Sequence, residues 1–311
     1  MINKKHINKI KNLLFFLAVI FAFFQFYKNF NYLLEQLSNK WFILFLLIPV
    51  HSLFHFFYSF RSFLVLKNSF SKLINFQIWN KNYFQSILIQ ESLISNTGFL
   101  YRSLYLNELG LKIIDLIIFF YYGISSYISF NLILIYFEVF FISDISLINS
   151  FYLFFINLFI IIFFIFSPIL IFKIINKIRF TKNLFLNLIP IDQLNSKYLK
   201  ILFNKNNILY LCLTGVSIHI FEVTILYFSI TFFSIDILFF NLVLLFAFSI
   251  FSDRIPFISS IPFFNEIIFG LVSSFVGFTF YEGFMVKSLM RISSISSLAI
   301  NLFINRYLKK F

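Results

Sequence analysis

Three long apolar runs, Leu13–Tyr27, Trp41–Tyr58 and Leu147–Phe172, approach or exceed the length at which a helix crosses a bilayer. Short stretches rich in Lys and Asn separate such runs along the chain. A water-soluble domain has nowhere to hide that much apolar surface. The composition agrees: 60% of residues are hydrophobic and 12% charged, against about 45–50% and about 25% in soluble chains. Fifty-four of the 311 residues are phenylalanine, far more than one core can take up. The expected fold is therefore all-α, a polytopic integral membrane helix bundle whose solvent is mostly lipid.

At about 20 residues per span the chain holds about seven to nine crossings with their connections, and eight is the expected number. No stretch is left for a separate soluble domain of ordinary size, so residues 1–311 read as a single transmembrane domain. The longest polar interval, Lys173–Asn207, still carries Phe185, Leu186, Leu188 and Ile189. It reads as a basic cytoplasmic loop with an interfacial amphipathic piece. The segment Met1–Asn12 places Lys4, Lys5, Lys9 and Lys11 before an apolar stretch, as a signal peptide would. It is not followed by a small-residue cleavage site, so an uncleaved first span is expected. The lone cysteine, Cys212, excludes an intramolecular disulfide.

The net charge of +13 would suggest nucleic acid in a soluble protein. Here the cations cluster beside apolar runs, as the positive-inside rule requires, and no nucleic-acid partner is expected. The clusters are the N-terminus, Arg61–Lys81, Lys173–Lys205 and Arg306–Lys310. The connectors Ile135–Ser146 and Thr231–Asp236 contain neither Lys nor Arg. That asymmetry puts both termini in the cytoplasm and the two connectors outside. Crossings then fall at Leu13–Tyr27, Trp41–Phe60, Ile113–Leu134, Leu147–Phe172, Asn207–Ile230 and Ile237–Phe251. Lys28–Lys40 becomes an outer loop, and Ile255–Asn305 supplies two further crossings.

Two intervals break this pattern. Tyr83–Lys112 begins and ends on the cytoplasmic side yet contains Gln85, Gln90, Glu91, Asn96, Thr97, Gly98 and Arg102. Ser252–Glu282 contains Asp253, Arg254, Pro256, Ser259, Pro262, Asn265 and Glu266 before an apolar helix. Broken polar backbone at membrane depth survives only inside protein or along a wet cavity. Paired interruptions of this kind point to a binding site. A helix lying on the membrane surface is the other reading of Tyr83–Lys112.

Ionisable residues within spans are costly and are functional candidates for that reason. His51 and His55, four apart after Pro49, share a helix face. A metal or proton-relay role is one reading, although two histidines lack the further ligands of a zinc site. Packing against a neighbouring helix is the plainer one. His219 and Glu222 also share a face, so they are candidates to pair with each other or with His51. No Walker loop, GxSxG or zinc signature occurs, and no catalytic residue, metal ligand or cofactor is assigned.

The stretch ESLISNTGFLYRSLYLNELGLKIIDL, Glu91–Leu116, and the stretch IPFISSIPFFNEIIFGLVSSFVGFTFYEGFMVKSLMRISS, Ile255–Ser294, carry a resemblance in their order and spacing. Together they resemble the flippase-like family typified by the transmembrane region of lysylphosphatidylglycerol synthase. Gly98, Arg102, Tyr105 and Leu106 match the first polar segment. Pro256, Glu266, Gly270, Gly277, Glu282, Gly283 and Arg291 match the second. The glycines expected between the proline and the acid are absent, with Ser259, Ser260 and Phe263 in their place.

The resemblance implies a protein of a bacterial plasma (inner) membrane that moves, or helps move, an anionic lipid or lipid-linked sugar between leaflets. Its partners would be membrane lipids, a lipid-linked saccharide and a cytoplasmic glycosyltransferase. No part of the chain is expected to fold as the soluble synthetase domain of that family. Arg102 would bind a phosphate, and Arg291 would add a second contact or neutralise Glu266. Glu91, Asn96, Thr97, Gly98 and Tyr105 would complete the substrate site. Gly270, Gly277 and Gly283 would allow close helix approach. The alternative is a membrane enzyme or accessory subunit of cell-envelope glycolipid assembly.

Overall fold

The computed structural model describes residues 30–70, 75–92, 95–142, 154–166, 191–254 and 263–307, together with residues 24, 27 and 169. Outside them lie nearly all of the expected first span, residues 147–153 of the Leu147–Phe172 run, residues 173–190 of the basic loop, and residues 255–262, including Pro256.

Every regular element among the described residues is helical. They are α1 (Phe30–Phe70), α2 (Phe76–Ser92), α3 (Ser95–Glu108), α4 (Ile113–Ile142) and α5 (Phe154–Phe166). Then come α6 (Ile191–Leu202), α7 (Lys205–Phe232), α8 (Phe239–Arg254), α9 (Phe264–Ser273), a 3₁₀ turn at Ser274–Val276, and α10 (Phe280–Tyr307). Three helices are long and apolar enough to cross a membrane: Phe30–Phe70, Ile114–Phe141 within α4, and Lys205–Phe232. Their outer surfaces carry large apolar side chains, among them Phe42, Phe45, Phe141 and Leu213. Contiguous apolar patches on this scale are rare on monomeric soluble proteins.

Several boundaries follow the sequence closely. The expected crossing Asn207–Ile230 is α7, and Ile113–Leu134 lies within α4. Others differ. The outer loop expected at Lys28–Lys40 is helical from Phe30 onward, and the backbone leaves helical geometry only at Lys40 (φ −130°, ψ 25°). Leu, Gln and Glu there are good helix formers, so polarity alone does not break the chain. Among the described residues, Ile255–Asn305 supplies one long helix, α10, and one short one, α9. At 10 residues, α9 is about 15 Å long, half the roughly 30 Å hydrocarbon core. It is an interrupted segment, where a full crossing was expected. Within the basic loop the described residues include one amphipathic helix, α6, while Phe185–Ile189 lie outside them.

The chain divides into two compact units. The first comprises 1–55, 81–102 and 220–311, and the second 56–80 and 103–219. In the first unit Lys40, at the break in α1, donates from Nζ to the Thr231 carbonyl (2.7 Å) at the end of α7. The cation adds to the Ser234 N–H bond that the same carbonyl accepts (3.1 Å) and suits the negative end of the helix. Tyr32 donates its hydroxyl to the Phe233 carbonyl at 2.9 Å.

In the second unit, Arg61 stacks over Tyr58 (4.7 Å to the centroid) and donates to the Gly123 carbonyl at 3.2 Å. Amphipathic α6 is fastened to α4 by the Lys197–Asp115 ion pair. Its Tyr198 hydroxyl donates to the Ile165 carbonyl and shares a hydrogen bond with Ser125, both at 2.9 Å.

Candidate functional site

Two interrupted helical segments of the first unit supply the site. The earlier one is the α2–α3 hairpin. A Cβ on Gly98 would stand 2.6 Å from Gln90 Cβ and overlap the Ser86 carbonyl. Glycine here lets the two helix backbones touch. Tyr101 then reaches back from α3 and donates to Gln85 Oε1 at 3.0 Å. Arg102, one residue on, lies over the Tyr83 ring (5.5 Å) and makes a long 3.4 Å hydrogen bond to Gln90 Oε1.

The later segment is the α9–α10 pair, joined by a tight turn. Gly277 has φ +96°, a left-handed conformation that glycine adopts without Cβ strain. The Phe278 N–H returns to the Ser273 carbonyl (3.1 Å), closing the helix end. Thr279 and Glu282 form a reciprocal cap on α10. Glu282 Oε2 accepts from the Thr279 N–H at 2.8 Å, and Thr279 Oγ1 accepts from the Glu282 N–H at 3.2 Å. Past the turn the helices lie close. A Cβ on Gly283 would meet Ser273 Cβ at 2.7 Å and Gly270 Cα at 3.0 Å.

That approach sets Glu266, on the first turn of α9, against α10, which presents Lys287, Arg291 and Ser294 at helical spacing along one face. Arg291 donates from Nη1 to Glu266 Oε1 at 2.9 Å. Its Nε and Nη2 donate to the main-chain carbonyl of Glu91 at 3.0 and 2.6 Å. The Glu91 carboxylate stands 3.9 Å from Nε. One guanidinium therefore binds a buried carboxylate and a carbonyl in the last turn of α2, where helix carbonyls lack partners within the helix.

One turn earlier on α10, Lys287 donates from Nζ to Ser249 Oγ of α8 at 2.8 Å and lies over the Phe269 ring at 5.6 Å. One turn later, Ser294 Oγ shares a 2.9 Å hydrogen bond with His55 Nε2. His55 in turn stacks on His51, with ring centroids 6.0 Å apart. Glu266, Lys287, His51 and His55 are all buried.

Of the residues singled out from sequence, Glu266, Arg291 and Glu91 come together directly. Gly98 and Arg102 belong to the same hairpin as Glu91. Tyr105 lies in the second unit, beside Trp79 (6.5 Å between rings). Asn96 is within α3, but its side chain and that of Thr97 lie outside the described residues. Gly270 and Gly283 make close contacts; Gly277 makes the turn. The His219 ring nitrogens go to Asn131 Oδ1 and Glu138 Oε1, both at 2.7 Å. Lys287 was not anticipated. Its signal was the Lys287–Arg291 spacing of one helical turn within an otherwise apolar and serine-rich helix.

Among the described residues no group of three or more His, Cys, Asp or Glu gathers as metal ligands would. The chain matches no family model, no curated protein and no solved structure.

Proposed function

We propose that the chain is a polytopic membrane protein of flippase-like type, which moves or helps move an anionic lipid or lipid-linked sugar between leaflets. One observation carries this reading: the buried Glu266–Arg291 pair, with Lys287 one turn away, on helices joined through interrupted segments. Ionisable groups among apolar helices are expensive to keep and mark substrate paths by default. Arg102, on the hairpin that Arg291 braces, is the proposed phosphate contact, because a guanidinium matches phosphate oxygens with paired donors. Arg291 is the positioning residue, holding the hairpin end and Glu266 together. The membrane is proposed to be a bacterial plasma membrane, with both termini cytoplasmic.

Mild detergent extraction followed by native mass spectrometry tests the substrate class. Retention of an anionic lipid by wild type and its loss from Arg102→Ala support the reading. Equal retention by both proteins, or retention of neutral and zwitterionic lipids only, contradicts it.

A second reading rests on α6, a basic amphipathic helix fastened to α4 by the Lys197–Asp115 pair. Such a helix at the cytoplasmic surface would suit an accessory subunit that docks a glycosyltransferase. Co-purification of that enzyme, with no lipid movement by the chain alone, would favour it.

A further inference from the structure

Arg61 is 4% exposed, yet no carboxylate among the described residues stands against it. A guanidinium is not deprotonated in proteins, so the cost of burying it is not relieved by losing a proton. Its partners are ring faces and a carbonyl. The guanidinium lies 4.7 Å from the Tyr58 ring centroid and 5.8 Å from that of Tyr127. Nη2 donates to the Gly123 carbonyl at 3.2 Å. Cation–π contact offsets part of the desolvation, but neither a ring nor a carbonyl cancels a charge. The guanidinium also carries more N–H donors than one carbonyl takes up. Where only packing was needed, an apolar side chain of similar volume would serve at less cost.

The acids of the second unit are engaged elsewhere. Those with described side chains are Glu108, Asp115 and Glu138. Asp115 pairs with Lys197, Glu138 bonds His219, and Glu108 is exposed at the end of α3. The Arg61 charge also reaches Tyr122, whose hydroxyl can donate or accept but is no counter-ion. There is room beside the guanidinium as well. A Cβ on Gly123 would meet nothing within 4 Å, so the residue whose carbonyl anchors Arg61 borders open space.

The charge that completes this arrangement is negative, and two features narrow its chemistry. A planar guanidinium presents paired donors that match phosphate oxygens. Arg61 is also the first cation after the crossing expected at Trp41–Phe60, which on the proposed topology is the level of the lipid phosphates. We propose that Arg61, flanked by Tyr58 and Tyr127, is a phosphate-binding site. It takes the phosphate of an anionic lipid headgroup or free phosphate. The site belongs to the second unit, whereas Arg102 belongs to the first. It does not depend on lipid being moved.

The test is thermal unfolding of the full chain in a maltoside detergent at constant ionic strength. The additions are low-millimolar inorganic phosphate, phosphatidylglycerol, and diacylglycerol, which lacks a phosphate. A ligand that binds only the folded chain raises its midpoint, by roughly 5 °C near saturation. Wild type and Arg102→Ala are expected to show that rise with a phosphate-bearing ligand and none with diacylglycerol. Adding Arg61→Gln to Arg102→Ala should abolish it. Arg61→Lys in the same chain keeps the charge but not the fork, and should keep less than half. A rise with phosphatidylglycerol alone assigns a lipid headgroup; one with inorganic phosphate assigns a site open to the free ion. No rise in Arg102→Ala with either ligand overturns the proposal, as does a rise that Arg61→Gln retains or diacylglycerol matches. An intact rise without lipid movement in vesicles removes the flippase-like reading and leaves this site.

Discussion

Arg291 and Glu266 meet at 2.9 Å, although 25 residues and a tight turn separate them, and the remaining donors of Arg291 close on the backbone of Glu91. The pair thus ties α9, α10 and the end of α2 at one point. Removing Glu266 takes away the buried carboxylate and leaves the guanidinium on the Glu91 carbonyl alone, with the Glu91 carboxylate 3.9 Å away. Breaking a buried pair in this way is destabilising. Glu266→Ala is expected to lower stability by about 3 kcal/mol, read as denaturant unfolding in detergent. Glu266→Ala combined with Arg291→Met should recover part of that loss. Additive losses in the double variant would show that the two side chains act independently.

Gly283→Ala should force α9 and α10 apart, because its Cβ would stand 2.7 Å from Ser273 Cβ. Overpacking of this kind costs about 2 kcal/mol. Pairing it with Ser273→Gly should restore most of the melting temperature. Gly277→Ala should cost less, about 1 kcal/mol, since its Cβ meets nothing and only the left-handed backbone is penalised.

His219 joins Asn131 and Glu138 within the second unit. His219→Leu removes both hydrogen bonds and leaves buried acceptors behind, for an expected loss of about 2–3 kcal/mol. Thermal unfolding in detergent reads this. An unchanged midpoint would show that water takes over both bonds.

Tyr198, on α6, gives an alkaline signature. Burial raises its hydroxyl pKa, which its hydrogen bond with Ser125 only partly offsets. The unfolded phenol ionises near pH 10, while the folded one keeps its proton to higher pH. Between those values the unfolded state binds fewer protons, so stability falls as pH rises. Tyr198→Phe should therefore lose about 1 kcal/mol at neutral pH and show a shallower decline above about pH 10. Identical alkaline slopes in the two proteins would contradict the assignment.

The residues explain what was legible in advance. Apolar runs report helices, so α7 was readable almost to its ends. Helix α4 instead runs past its expected end at Leu134, through most of the expected connector to Ile142. The start of α9 just before Glu266 was readable because polar residues among apolar ones have few other uses, whereas Gly98 lies inside α3 and marks its contact with α2. Pairings across long separations were not readable. Glu138 lies 81 residues from His219 and Ser249 lies 38 from Lys287, and no local period records such contacts. The helical start of α1 escaped notice because Gln36, Ser38 and Lys40 look like loop residues when no helix partner is in view. The Glu282 carboxylate caps α10, a role that its spacing of three residues from Thr279 records.

The most direct test of the account is transbilayer movement of a fluorescent anionic phospholipid in vesicles containing the purified full chain. Wild type is predicted to move the probe well above the protein-free rate, and a zwitterionic probe far less. Arg102→Ala is predicted to lose at least about tenfold, the effect of removing roughly 1.4 kcal/mol of phosphate binding, while staying folded. Equal rates for wild type, Arg102→Ala and protein-free vesicles would contradict the account.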